Sequence, residues 1–195
     1  MFKANRRTAV TVTAVVVVFA VAALVVSLTS GNGKASDRQY IGGGTSAWLY
    51  RAGNRPIAPA FSGTTLTGSK LASSAYKGKT LVLNFWGSWC GPCRGEASTL
   101  AQLSRKYAKN GVSFLGDDVG DTPTNAQTFA KSMGIAYPSL NDPGYQTAQD
   151  FGTAVPINET PTTVLLDSTG HIAGVIYGTA TYGVLNTMLR DVVKA

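Results

Sequence analysis

Apolar and polar positions divide this chain into three textures. Residues 8–29 (TAVTVTAVVVVFAVAALVVSLT) carry no charge and are mostly Ala and Val. A run of about 20 such residues is long enough to cross a bilayer as a helix. Residues 30–55 are rich in Gly, Ser and Asn and have no period, which predicts a flexible linker, with order arising only around Trp48–Tyr50. From 56 to 195, short apolar runs alternate with stretches of helical period, which predicts one folded domain.

Within that domain, residues 61–71 (FSGTTLTGSKL) read as a small hairpin with glycine at its turns. TLVLNFWG (80–87) is a buried strand, and 91–109 form a helix whose apolar face holds Ala97, Leu100, Ala101, Leu103 and Tyr107. VSFLGDD (112–118) is a second strand. Residues 122–133 form a helix with threonine available as cap, and 144–151 a short one. TTVLLD and HIAGVIYG flank a Ser-Thr-Gly turn as a hairpin, and 181–194 close the chain with an amphipathic helix. This βαβ then ββα order predicts an α/β domain with a central mixed sheet and helices on both faces.

Charge refines the picture. The net charge of +7 invites a nucleic-acid reading, but its distribution argues against one. Lys3, Arg6 and Arg7 precede the apolar run and hold that end in the cytoplasm, so the rest of the chain is expected outside. The longer-than-usual run favours a retained signal-anchor (1–29) over a cleaved signal, which would give a secreted form. From residue 34 to 79 there are seven basic residues against Asp37 alone, a basic tether suited to an anionic membrane surface. From residue 80 onward there are seven basic and nine acidic residues, and no basic patch with interleaved aromatics.

The chemistry-bearing feature is NFWGSWCGPCRGE (84–96), which holds the only two cysteines, Cys90 and Cys93. A structural zinc site takes four ligands, and two cysteines with one histidine, His171, fall short, so no metal is expected. A staple closing so short a loop removes little chain entropy. A redox pair remains. The amino end of a helix favours a thiolate, which makes Cys90, at the exposed start, the expected nucleophile and Cys93, one turn in and shielded, the resolving thiol. Gly91 and Pro92 separate them with little bulk. Asp117, Asp118 and Asp121 read as a solvated, helix-capping loop, and His171 as part of a surface hairpin.

The WCGPC core resembles the active-site stretch of the thioredoxin superfamily, in particular its TlpA/ResA-like branch of membrane-tethered, extracytoplasmic thiol–disulfide oxidoreductases. TPTTVLLDSTGHI (160–172) is similar to the family's cis-proline segment and hairpin, and GVSFLGDDVGD (111–121) to its strand after the active-site helix. The resemblance spans about Arg55 to Val193. It implies a thioredoxin-like fold and a Cys90–Cys93 dithiol/disulfide, with no cofactor. It also implies that Thr160 and Pro161 face a bound peptide, that Trp86 and Trp89 flank the site, and that Trp89, Gly91 and Pro92 meet substrate. Glu96 matches a carboxylate near the site that handles a proton, because Asn84 stands where thioredoxin has a buried aspartate; Ser98, where the family often has proline, leaves the placement of Glu96 open. An early-helix acid that only complements the dipole is the alternative. The implied partners are cysteine-containing extracytoplasmic proteins, apocytochrome c among them, and a membrane thiol–disulfide electron relay. The Gly-Pro dipeptide leans towards a reductase. The alternatives are a catalyst that donates disulfides and a non-catalytic thioredoxin-like binding module; a thiol peroxidase is disfavoured by Gly87 three residues before Cys90.

Overall fold

The computed structural model describes residues 37–42, 44 and 46–194. The expected anchor at 1–29 lies outside the described residues, and among those described no helix is long and apolar enough to cross a membrane. The elements in chain order are β1 (Arg38–Ile41), β2 (Ser46–Tyr50), β3 (Ser62–Thr64), β4 (Lys70–Ala72), β5 (Thr80–Trp86), α1 (Gly91–Tyr107), β6 (Val112–Val119), α2 (Pro123–Ser132), β7 (Ser139–Asp142), α3 (Gln146–Phe151), β8 (Thr162–Leu166), β9 (Ile172–Tyr177) and α4 (Tyr182–Lys194).

Seven strands form one mixed sheet in the order β1-β2-β9-β8-β5-β6-β7, with β3 and β4 paired apart from it. Strands β5, β6 and β7 run parallel, and β8, β9, β2 and β1 add on antiparallel. The sheet separates two cores. On one face α1 and α4 bury Leu100, Leu103, Leu185, Met188 and Leu189 against Val82, Phe114, Leu165 and Ile176. On the other, Phe151 of α3 meets Phe61 and Phe85 at ring separations of 6.0 and 5.8 Å, over Leu83, Leu115 and Val164. Every residue of β5 is buried, which is why its sequence is predominantly apolar rather than alternating, with Asn84 the buried polar exception in its middle.

Two departures from the sequence reading concern strands. Strands β1 and β2 fall in the stretch read as linker, yet they pair antiparallel and extend the sheet, with Ala47 and Leu49 buried against α4. The Gly-rich sequence between the two strands and their shortness hid a period-2 pattern in which Ala47 and Leu49 face in and Trp48 and Tyr50 face the other side. The described domain therefore starts at Asp37, not at 56. The other is β7, a four-residue strand at the sheet edge where the sequence reading assigned no element; Leu140 anchors it at 1% exposure.

Candidate active site

Strand β5 ends at Trp86, and the chain turns through Gly87–Trp89 into α1, so the cysteines sit at the carboxyl end of a central strand, where open α/β sheets gather their chemistry. Cys90 is the N-cap of α1 and Pro92 lies in its first turn. The structure joins Cys90 to Cys93 in a disulfide. Cys90 Sγ accepts a hydrogen bond from the Cys93 backbone N–H at 3.2 Å and lies 3.6 Å from the Thr160 carbonyl oxygen. The Thr160–Pro161 peptide is cis, and this loop faces the disulfide.

The expected difference in exposure between the cysteines is absent in this state: Cys90 is 4% and Cys93 2% exposed. What distinguishes them is position. Cys90 is the N-cap of α1 and lies against the Thr160 loop, Cys93 stands one turn further in, and both belong to the cluster of Trp86, Ala126 and Phe129. The open edge is formed by Trp89, 54% exposed, with Gly91 and Pro92. The Trp89 indole N–H donates to the Val119 carbonyl at 3.1 Å. It lies so close over Gly87 that a Cβ there would come within 2.6 Å of indole Cε2. Trp86, by contrast, is buried and stacked on Phe129 at 5.1 Å. The Asp121 carboxylate accepts from the Ser88 N–H at 2.8 Å, tying the loop before the cysteines to the end of β6. Burial pushes Asp121 up, but hydrogen bonds from Ser88, Thr122 and Asn125 prevail and hold it below its ordinary value. A recess of about 260 Å³ opens beside Trp89 and Thr160, walled by Val119, Tyr145, Ile157 and Glu159.

Glu96 lies two turns into α1 and is 1% exposed, buried beneath the site. Its Oε1 accepts from Asn84 Nδ2 at 2.8 Å, and its Oε2 from the Ala180 backbone N–H at 2.6 Å. Asn84 donates in turn to Thr163 Oγ1 at 3.0 Å. Desolvation raises the Glu96 carboxyl from 4.5 to about 7, against the two hydrogen bonds, which pull it down. Such burial and bridging do not suit an acid that merely complements the dipole from the helix surface. A buried carboxyl poised near neutrality can take and return a proton in water's absence. Asn84 was legible as the untitratable replacement; Ala180 was not, because a backbone donor leaves no side-chain signal.

The acidic loop departs from its reading as solvated. Asp117 and Asp118 are both fully buried, and none of their carboxylate oxygens meets a donor among the described residues. Burial first, then the charges of Asp142 and Asp118, hold Asp117 well above the carboxylate range. Burial and the charges of Asp121 and Asp142 lift Asp118 to about 8. Asp142 caps α3, accepting from the Gln146 and Thr147 N–H groups at 2.8 Å each. His171 sits in the β8–β9 turn, its Nδ1 2.8 Å from Thr169 Oγ1, away from the cysteines.

A strand-end disulfide on a helix cap, faced by a cis-proline loop, defines a thioredoxin-fold redox protein, and the comparisons agree. Residues 55–175 match the AhpC/TSA family, to which the chain belongs. It is similar to the thiol–disulfide oxidoreductase ResA of Geobacillus thermodenitrificans, with 36% identity over 124 residues, covering 64% of this chain and 69% of that one. It is also similar to ResA of Bacillus subtilis, 31% identical over 133 residues, 68% of this chain and 72% of that one. Among solved structures, a DsbF homologue from Corynebacterium diphtheriae superposes with a TM-score of 0.70 at 33% identity, covering 79% of this chain and 98% of that one. A secreted thiol–disulfide isomerase from Corynebacterium glutamicum gives 0.72 at 29%, covering 80% and 98%. The protein is a thiol–disulfide oxidoreductase of the ResA/DsbE type.

Proposed function

We propose that the chain is a membrane-anchored reductase of cysteine-containing proteins outside the cytoplasmic membrane, with Cys90 as nucleophile, Cys93 as resolving thiol and Glu96 as proton acceptor. In the reduced protein the Cys90 thiolate attacks one sulfur of a client disulfide, forms a mixed disulfide and expels the first client thiolate. Cys93 loses its proton to the Glu96 carboxylate and attacks Cys90 Sγ. That closes the Cys90–Cys93 disulfide and expels the second client thiolate. Two electrons pass to the client, both client thiolates take up protons, and a membrane electron relay restores the dithiol. The Cys93 N–H that meets Cys90 Sγ would favour the Cys90 thiolate, and Thr160 and cis Pro161 would hold the client backbone beside it. Trp89, Gly91 and Pro92 supply the exposed rim of that contact.

The observation that carries this reading is the buried Glu96, raised to about 7 on the helix that holds both cysteines. Residues 8–29, with Lys3, Arg6 and Arg7 before them, support the anchor and its orientation. Reduction rather than oxidation is supported by the Gly-Pro dipeptide between the cysteines; clients then include apocytochrome c, whose haem-binding thiols must stay reduced. The deciding experiment is the reduction potential of the Cys90–Cys93 couple in dithiothreitol buffers, with insulin reduction by the parent and by Cys90→Ser. A potential near that of thioredoxin, about −270 mV, with cysteine-dependent reduction is expected, whereas one near that of DsbA, about −120 mV, would make it a disulfide donor. Activity that survives Cys90→Ser would overturn the mechanism.

A further inference from the structure

The hairpin β1–β2 gives the sheet a face that no described helix covers. Opposite the buried Ala47 and Leu49, the same strands present Arg38, Tyr40, Trp48 and Tyr50, and β9 continues the row with Tyr177. The side chains converge on Trp48. Tyr40 meets it edge-on at 5.1 Å, and the Arg38 guanidinium lies 5.1 Å above its ring. Tyr177, opposite Ser46 in the ladder, lies on the same side of the sheet as Trp48. Arg38 and Tyr40 are exposed, and Trp48, Tyr50 and Tyr177 are half-buried against the α3-side core. Rigid aromatic rings with a stacked guanidinium are the residue types that anchor protein contacts at low entropic cost.

This face is continuous with the site of exchange. Tyr177 lies directly opposite Thr162, and the Gly178 N–H donates to the Pro161 carbonyl, so β9 leaves the cis-proline loop and leads straight to Trp48. Stepping from β8 across β9 and β2 to β1 covers three strand spacings, about 15 Å. An extended chain spans that in about five residues. We propose that the Trp48 face is a docking surface for the client polypeptide, holding an apolar, extended segment about five residues from the cysteine engaged by Cys90. The proposal rests on the reading of Cys90 as a client-facing nucleophile. The aromatic row discriminates clients by the side chains that flank their cysteines, a selectivity the small rim around Cys90 does not provide alone.

The test uses the reduced full chain and three disulfide probes. One is a peptide mixed disulfide with Leu and Phe in the six residues flanking its cysteine. The second is the same peptide with Gly and Ser flanks, and the third is hydroxyethyl disulfide. The double variant Arg38→Ala/Tyr40→Ser, on exposed positions, should raise KM for the apolar peptide about five- to tenfold, the loss typical of one or two anchor residues. Its kcat, and the rates with the other two probes, should be unchanged. Turnover of hydroxyethyl disulfide checks the Cys90 reading separately, since it needs the thiols and not the face. As a second measurement, Cys93→Ser holding the apolar peptide as a mixed disulfide should slow amide hydrogen exchange over 38–50, and the Gly/Ser peptide should not. Equal losses on all three probes, no loss on the apolar peptide, or protection that appears only when two copies of the chain associate would each overturn the assignment.

Discussion

Replacing Glu96 with glutamine separates a proton carrier from a structural buried acid. Raising the carboxyl from 4.5 to about 7 corresponds to about 3 kcal/mol of opposition to ionisation. The folded state holds the proton more tightly than the unfolded one. Its contribution to stability is therefore fully present below about pH 4.5 and is lost as pH rises through about 7. Glutamine has no proton to lose, so that slope should vanish. The substitution has its own cost. Both neighbours, Asn84 Nδ2 and the Ala180 N–H, are donors, and a carboxamide offers one carbonyl oxygen where the carboxylate offered two. The donor left facing the amide NH2 costs about 1–3 kcal/mol. Glu96→Gln should thus be less stable than the parent at pH 5 and equal or more stable at pH 9. Urea midpoints measured at half-unit steps between pH 5 and 9 would show the two curves crossing. In parallel, thiol exchange at pH 8 should slow by about tenfold or more, and the inflection of the rate near pH 7 should disappear. Parallel stability curves, together with an unchanged rate that keeps its inflection, would refute the reasoning.

Other substitutions test neighbouring parts of the site. Cys93→Ser should accumulate mixed disulfides at Cys90 with client proteins, seen as reducible adducts on non-reducing gels, and Cys90→Ser should form none. Gly87→Ala should push the Trp89 indole off the Val119 carbonyl. The lost hydrogen bond costs about 1 kcal/mol, and indole fluorescence should show a more solvated ring alongside slower exchange with protein disulfides. Asp118, lifted from 3.8 to about 8, favours the folded state at low pH and loses that contribution as pH rises through about 8. Asp118→Asn should therefore raise the thermal midpoint at pH 9 and change it little at pH 5.

The parts of the fold visible in the sequence are those in which composition and environment agree. β5 is mostly apolar and does not alternate because both of its faces are covered, and the cysteine pair is marked by its spacing and by the helix that follows. Where the reading failed, the deciding force was not local. β7 is a strand because Gly116–Val119 of β6 offer it a parallel edge and Leu140 fills the α3-side core; four residues, three of them polar, carry too little pattern to announce that. β1 and β2 are held by a sheet whose adjacent strand, β9, comes more than 120 residues later. The acidic loop misled for a different reason. Asp117 and Asp118 point to opposite faces of β6 and are both buried because each face of that strand is covered, and burial has shifted their protonation rather than excluded them. Within the site, the cysteines, Thr160 and Pro161 could be found by type, while the Val119 carbonyl and the Ala180 N–H belong to backbone that any side chain could carry.

The bond from Ala180 to Glu96 joins positions 84 residues apart, the donor lying just ahead of the last helix. During synthesis both cysteines therefore emerge long before the group that completes their acid. A nascent chain halted short of residue 180 would carry the whole WCGPC sequence with its carboxyl lacking one of two donors. On the proposed role of Glu96 as proton acceptor, the thiols would gain their complete proton partner only once the segment carrying Ala180 has folded, and an unfinished copy should be a poor participant in exchange with its neighbours.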